Sequence, residues 1–138
     1  TSYQNYLKEN KNENFDLIFD CTDNHKNKIL SSQLCKKNKI AYVSISINST
    51  EGIYFSQNYK KDTTACFACL FPQTDVNHRC LNSAMIGPVA GFVTSLACTK
   101  IIFALANSSI DLKSEINLID LLTSDINKLQ LADIKCPH

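Results

Sequence analysis

Cys66-Phe67-Ala68-Cys69 sets two thiols three positions apart. At that spacing a single turn of chain can offer two thiolates to one tetrahedral Zn²⁺. Such a half-site needs a second half. Cys136-Pro137-His138 supplies one more thiolate from far along the chain, and His138 or a residue beyond it could complete the set. The competing readings are a redox pair or two buried thiols. Cys80 differs, because it sits in a polar stretch beside His78 and Arg79. Positive neighbours favour the thiolate, the nucleophilic form, and a helix starting near Ile86 adds positive potential. A surface cysteine with a chance basic neighbour is the plainer alternative. No acidic residue stands ready to orient His78 as a base, so it reads as a solvated loop residue. The third candidate lies in "DLIFDCTDNHKNK", Asp16 to Lys28. Leu17-Ile18-Phe19 is a β-favouring block, and Asp20 to Asn24 brings turn and helix-capping chemistry. Ligands of open α/β sheets sit at the carboxyl ends of strands, which puts Asp23 at the mouth of a site. Alternatively, Asp23 or Asn24 only caps the following helix.

The elements that must position these residues can be read along the chain. Tyr3, Tyr6 and Leu7 have helical spacing, and Lys8 to Asn14 reads as loop. Phe15 to Asp20 reads as a buried strand. Asn24 to Lys37 reads as a helix with Ile29, Leu30 and Leu34 inward, and Ile40 to Ile47 as a second strand. Strand, helix, strand is a βαβ unit and predicts a parallel pair. Glu51-Gly52 looks like a turn into "IYFSQNY", a strand that should pair antiparallel with its predecessor. Cys66 to Phe71 is compact and aromatic-rich, and Gln73 to Cys80 reads as an exposed crossing loop. Ile86 to Leu105 reads as a long buried helix with Pro88 in its first turn. "EINLIDLL" and "DINKLQL" close the chain as two strands joined near Thr123-Ser124.

With 138 residues the chain has room for one core, read as a single domain over residues 1–138. A formal net charge of +1 gives no field to steer it toward nucleic acid or an acidic membrane. Seven cysteines, an odd number, with no signal-peptide pattern, argue for a reducing, cytoplasmic setting and against a disulfide framework. Met85 to Ala106 resembles a membrane span in length, but Lys100 lies inside it with Thr94, Ser95 and Thr99 nearby, which favours a helix of a folded core. Gly87 and Gly91, followed by Ser95, suit close packing on a sheet or a dimer mate. Cys21, Cys35 and Cys98 read as small core residues, and His25 as inert at an exposed helix start. The chain has three glycines and neither GxGxxG nor GxxxxGK[ST], so no phosphate-cradling loop lies in it.

Taken together, "DLIFDCTDN", "EGIYFSQNY", "CFACLFP", "HRC" ahead of the "IGPVAG" helix, and the terminal "CPH" resemble the ThiF/MoeB/HesA family from about Asn14 to Cys136. These enzymes adenylate ubiquitin-like sulfur carriers and are relatives of the ubiquitin-activating enzymes. The resemblance implies an α/β fold: the C-terminal portion of a Rossmann-like adenylation domain, with a βαβ unit followed by mainly antiparallel strands and the long helix. It implies ATP and Mg²⁺ as cofactors, with Asp23 helping to hold Mg²⁺ and the triphosphate. It implies a structural Zn²⁺ on Cys66, Cys69, Cys136 and a fourth ligand. It also implies that Cys80 can link covalently to the carrier, as thioester or persulfide. The implied partners are a ubiquitin-like sulfur carrier protein and a second copy in a homodimer. Two departures stand out: Lys28 replaces the family's Arg in Asp-Asn-x-x-x-Arg, and Asn82 replaces Glu in Cys-x-Glu. The family's glycine-rich loop precedes the stretch seen here, so the chain is expected to be the C-terminal part of a longer enzyme and inactive by itself. A non-catalytic, zinc-stabilised module for carrier binding or dimerisation is the alternative. A third reading is an RNA-modifying relative that activates a small carboxylate; the CxxC half-site argues against it.

Overall fold

Leu17-Ile18-Phe19, apolar on both faces, forms the strand that opens the fold, as such a run does when parallel pairing buries both sides. In the computed structural model, which describes residues 15–60, 65–72, 84–106, 112–131 and 136, this strand is β1, Leu17–Asp20. Helix α1, His25–Lys37, carries the chain back, and β2, Ala41–Asn48, pairs parallel with β1, Leu17 beside Ala41 and Asp20 beside Ser44. The βαβ unit expected from the sequence is therefore present. β3, Glu51–Asn58, returns antiparallel along the full length of β2. β4, Glu115–Asp120, and β5, Asp125–Gln130, complete a five-stranded sheet in the order β1-β2-β3-β4-β5. The β4–β5 hairpin turns at 121–124, with Ser124 at φ 65°, close to where the sequence predicts.

Alternation along the strands divides the core into two layers. Tyr42 and Phe55 face α1 and a single-turn helix, α2, Phe67–Leu70. Val43, Ile45 and Tyr54 face α3, Gly87–Ala106, through Val89, Val93, Ala97 and Ala104. Burial of α3 is confined to this stripe; Phe92, Ile102, Phe103 and Leu105 are exposed. By length and composition α3 could cross a membrane, but here it lies on a sheet. Lys100 projects from it over the Tyr54 ring, 4.8 Å from the centroid, and pairs with the buried Glu115.

Four local expectations change. The β2–β3 turn falls at Ser49-Thr50, with Ser49 at φ 53°, while Glu51 and Gly52 already pair with Asn48 and Ile47. Gly52 serves packing instead: a Cβ there would run into Val93 Cγ2, so the missing side chain lets α3 close onto β3. In α1 the inward residues are Lys28, Ile29, Ser32 and Cys35, and Leu30 is exposed. That inward face is largely polar, so apolar periodicity could not find it. Gly87 and Gly91 have no atom of the described residues within 4 Å of an added Cβ, so neither packs on the sheet. Cys35 is buried as expected, but Cys21 is exposed.

Candidate functional site

The cysteine cluster grows from the α1-side core. Cys66 is the residue before α2 and Cys69 lies on its single turn, where the Cys69 N–H donates to the Cys66 carbonyl at 3.0 Å. Phe67 between them packs edge-on against Phe55 at 5.4 Å and on Phe71 at 4.7 Å. Its backbone N–H donates to Ser32 Oγ at 3.2 Å, and Ser32 shares a 2.6 Å hydrogen bond with the Tyr59 hydroxyl. His25 Nε2 lies 3.1 Å from the Phe71 carbonyl oxygen, so this residue, read as inert, ties α1 to the end of α2. The turn is thus fixed from three sides before any metal is considered.

Cys136 reaches the same turn. The Cys66 and Cys69 sulfurs are 3.5 Å apart, Cys69 and Cys136 are 3.3 Å apart, and all three lie within 4.8 Å of one another. Sulfurs bound at about 2.3 Å around one tetrahedral ion stand roughly 3.8 Å apart, so the spacing suits a shared cation. Burial, then hydrogen bonding with Cys136, pushes the Cys69 thiol up to about 12. A coordinated divalent ion reverses that preference, because a metal-bound thiol gives up its proton. His138 lies outside the described residues, as do Cys80 and its neighbours His78, Arg79 and Asn82.

Asp23 stands where β1 ends, at the carboxyl edge of the sheet, and is exposed. The capping question is resolved by Asn24, whose side chain accepts from the Asn27 N–H at 3.2 Å. Asp23 is therefore not the cap. No hydrogen bond or ion pair among the described residues engages its carboxylate.

Beneath Asp23 is a buried polar group that apolar periodicity missed. Asp20 Oδ1 accepts from the Thr22 N–H at 2.9 Å and from the Thr22 hydroxyl at 2.7 Å. The Tyr42 hydroxyl donates to Asp20 Oδ2 at 2.9 Å, and Lys28 Nζ lies 3.7 Å from Oδ1. Lys28 also donates to the Ile45 carbonyl at 2.8 Å and to that of Asp20 at 3.4 Å. Asp20 is 5% exposed and Lys28 3% exposed. Burial pushes the Asp20 carboxyl upward, but the Thr22 bonds, Lys28 and Tyr42 outweigh it and hold the group below its ordinary range. For Lys28, burial outweighs the pull of Asp20, and the ammonium is held below its usual value. Burial and the Asp20 charge drive the Tyr42 phenol far upward, so it remains a donor. Removing one partner from such a pair costs about 3–5 kcal/mol, because the other is left charged in the interior. The sequence did hold a signal: Lys28, Ser32 and Cys35 recur at helical spacing, a polar stripe on the face that had to point inward.

Comparison with known proteins supports the same architecture. The adenylyltransferase and sulfurtransferase MOCS3 of Caenorhabditis briggsae is 29% identical over 112 residues, 78% of this chain and 27% of that protein. Its Dictyostelium discoideum counterpart is 27% identical over 99 residues, 70% of this chain and 23% of that one. The chain thus spans about a quarter of the length of these relatives. E. coli MccB, solved with ATP, superposes with a TM-score of 0.68 at 16% identity, covering 99% of this chain and 42% of MccB. A heterocyclase solved with substrate and cofactor superposes with a TM-score of 0.62 at 14% identity, covering 88% of this chain and 20% of the other. At these identities the solved structures establish the fold alone, an α/β arrangement shared with MccB. The ThiF family model matches residues 2–138, and the chain belongs to the ThiF family.

Proposed function

We propose that this chain forms part of an enzyme that adenylates the C-terminal glycine of a ubiquitin-like sulfur carrier. The observation that carries the reading is the exposed Asp23 carboxylate at the end of β1, left out of the helix cap by Asn24, in a ThiF-family chain. In adenylation the carrier's terminal carboxylate oxygen bonds to the α-phosphorus of ATP, the bond to the β-phosphate oxygen breaks, and pyrophosphate leaves. Asp23 is the residue here that would hold Mg²⁺ with the nucleotide, and Mg²⁺ would offset phosphate charge. Cradling of the phosphates falls to a part of the enzyme outside these residues, since the chain has three glycines and no phosphate-loop pattern. Cys80 is assigned the covalent step, displacing AMP from the acyl-adenylate to leave a thioester.

Cys66, Cys69 and Cys136 would hold a structural Zn²⁺, pinning the end of the chain to α2 without taking part in the chemistry. Their converging sulfurs support this, and a fourth donor is expected at His138 or beyond. A homodimer and a cytoplasmic setting complete the proposal.

ATP–pyrophosphate exchange by the full-length enzyme, with candidate carriers, is the test. Exchange should require a carrier with a free C-terminal glycine. Asp23→Ala should weaken use of Mg²⁺-ATP with little change in melting temperature, and the 138-residue chain alone should show no exchange. Carrier binding without exchange in the full-length protein would favour a non-catalytic module instead. A sharp loss of stability in Asp23→Ala with exchange intact would remove Asp23 from the site.

A further inference from the structure

Lys28 occupies the position where the family carries arginine, five residues after Asp23. Its ammonium does not turn outward with Asp23. It is directed into the sheet, onto the Ile45 and Asp20 carbonyls, with the Asp20 carboxylate beside it. Asp20 in turn holds Thr22 by both backbone and side chain. Thr22 immediately precedes Asp23. A continuous set of bonds therefore runs from the interior of β2, through Lys28 and Asp20, to the peptide that carries the Asp23 carboxylate.

We propose that Asp20 is a positioning residue for the adenylation reaction: fixed from beneath by Lys28 and Tyr42, it sets the Thr22-Asp23 peptide so that the Asp23 carboxylate meets its metal–nucleotide ligand without first having to be ordered. This rests on the assignment of Asp23 to Mg²⁺-ATP. The physical case is preorganisation. An exposed strand-end turn has many conformers, and ordering them on binding weakens the ligand. The two bonds to Thr22 remove that freedom in the free protein. They are anchored on a carboxylate that cannot swing, because its other oxygen is held by the Tyr42 hydroxyl at 2.9 Å. The same geometry accounts for lysine in place of arginine, since the inward-facing cation meets two carbonyls and one carboxylate, targets that a single ammonium satisfies.

Asp20 and Lys28 are poor first targets, since either change leaves a buried charge and endangers the fold. Thr22 is exposed, and Thr22→Val deletes only the hydroxyl bond to Asp20. The experiment is pyrophosphate exchange by the full-length enzyme as a function of Mg²⁺ at saturating ATP and carrier. Thr22→Val should raise the half-saturating Mg²⁺ concentration about tenfold or more, the change expected for one hydrogen bond to a charged group. Thr22→Ser, which keeps the hydroxyl, should restore the original value. Tyr42→Phe, which frees the other oxygen of Asp20, should shift it in the same direction. In an Asp23→Ala background, Thr22→Val should add nothing, because the group it positions is gone. An unchanged Mg²⁺ dependence in both Thr22→Val and Tyr42→Phe, or equal shifts with and without Asp23, would overturn the positioning role while leaving adenylation standing. Failure of the unaltered enzyme to exchange would instead overturn the adenylation reading.

Discussion

Cys66 and Cys69 make different demands on their neighbours. Cys66 is fully buried in the α1-side core, whereas Cys69 and Cys136 are only half-buried. Cys66→Ser therefore does two things: it removes a thiolate and leaves a hydroxyl where the surroundings are apolar. In protein extended beyond His138, about one zinc per chain is expected, in keeping with a single tetrahedral site. Cys66→Ser should abolish it and lower the melting temperature, while Cys35→Ser should retain the zinc although Cys35 is equally buried. Metal analysis beside thermal melts separates the cases; zinc that survives loss of both Cys66 and Cys69 would dismiss the site. The cluster was legible at this scale because a CxxC pair and a distant CP are rare enough to notice. Ser32, Tyr59 and His25 were not, because serine, tyrosine and histidine are everywhere and only the fold brings these three to α2.

At the scale of elements, the β3–α3 contact depends on one missing methyl group. Gly52→Ala places a carbon against Val93, itself fully buried, so the helix or the strand must shift. Overpacking of this kind costs about 1–3 kcal/mol. Val93→Ala opens the space, so the double variant should be more stable than the sum of the two single losses implies. Chemical unfolding of all four proteins measures the coupling, and strict additivity would show that the contact is not the cause. Strand pairing was readable from sequence because β-favouring runs and the βαβ order leave few topologies. The Glu51-Gly52 turn was misplaced because glycine signals a turn and a close approach equally well, and only tertiary packing distinguishes them. The inward stripe of α1 was missed for a related reason: the interior there is satisfied by a lysine and a serine with built-in partners, not by apolar side chains.

At the scale of the whole molecule, the two buried carboxylates among the described residues, on opposite layers, govern behaviour in acid. Asp20 is held below its ordinary value of 3.8 on the α1 side. Burial pushes Glu115 upward on the α3 side, but Lys100, Lys128 and Asn117 outweigh it and hold it below 4.5. A depressed folded-state value means the unfolded chain takes up protons first as pH falls. The stabilising contribution is therefore complete above the ordinary carboxyl range and is lost as pH falls through the folded-state values. Melting temperature should be level from neutral pH down to about 5 and decline steeply below 4. Asp20→Asn should lower stability at neutral pH and flatten the acid limb, and an unaltered acid limb in that variant would show that the carboxylate is not engaged in solution.

The separation of Cys69 from Cys136, 67 residues, also imposes an order on biosynthesis. At about 5–20 residues per second, the last sulfur follows the second from the ribosome by roughly 3–13 s. Through that interval α2 can form, since Phe55, Ser32 and Tyr59 all precede it in the chain, but its thiol pair stands without its third member. The two sulfurs are already 3.5 Å apart, close enough for an oxidant to join them with modest movement. A nascent chain that acquires that bond carries a turn closed against the arriving Cys136. The late cysteine thus makes the site a record of whether the stretch from Cys69 to Cys136 was synthesised in a reducing environment.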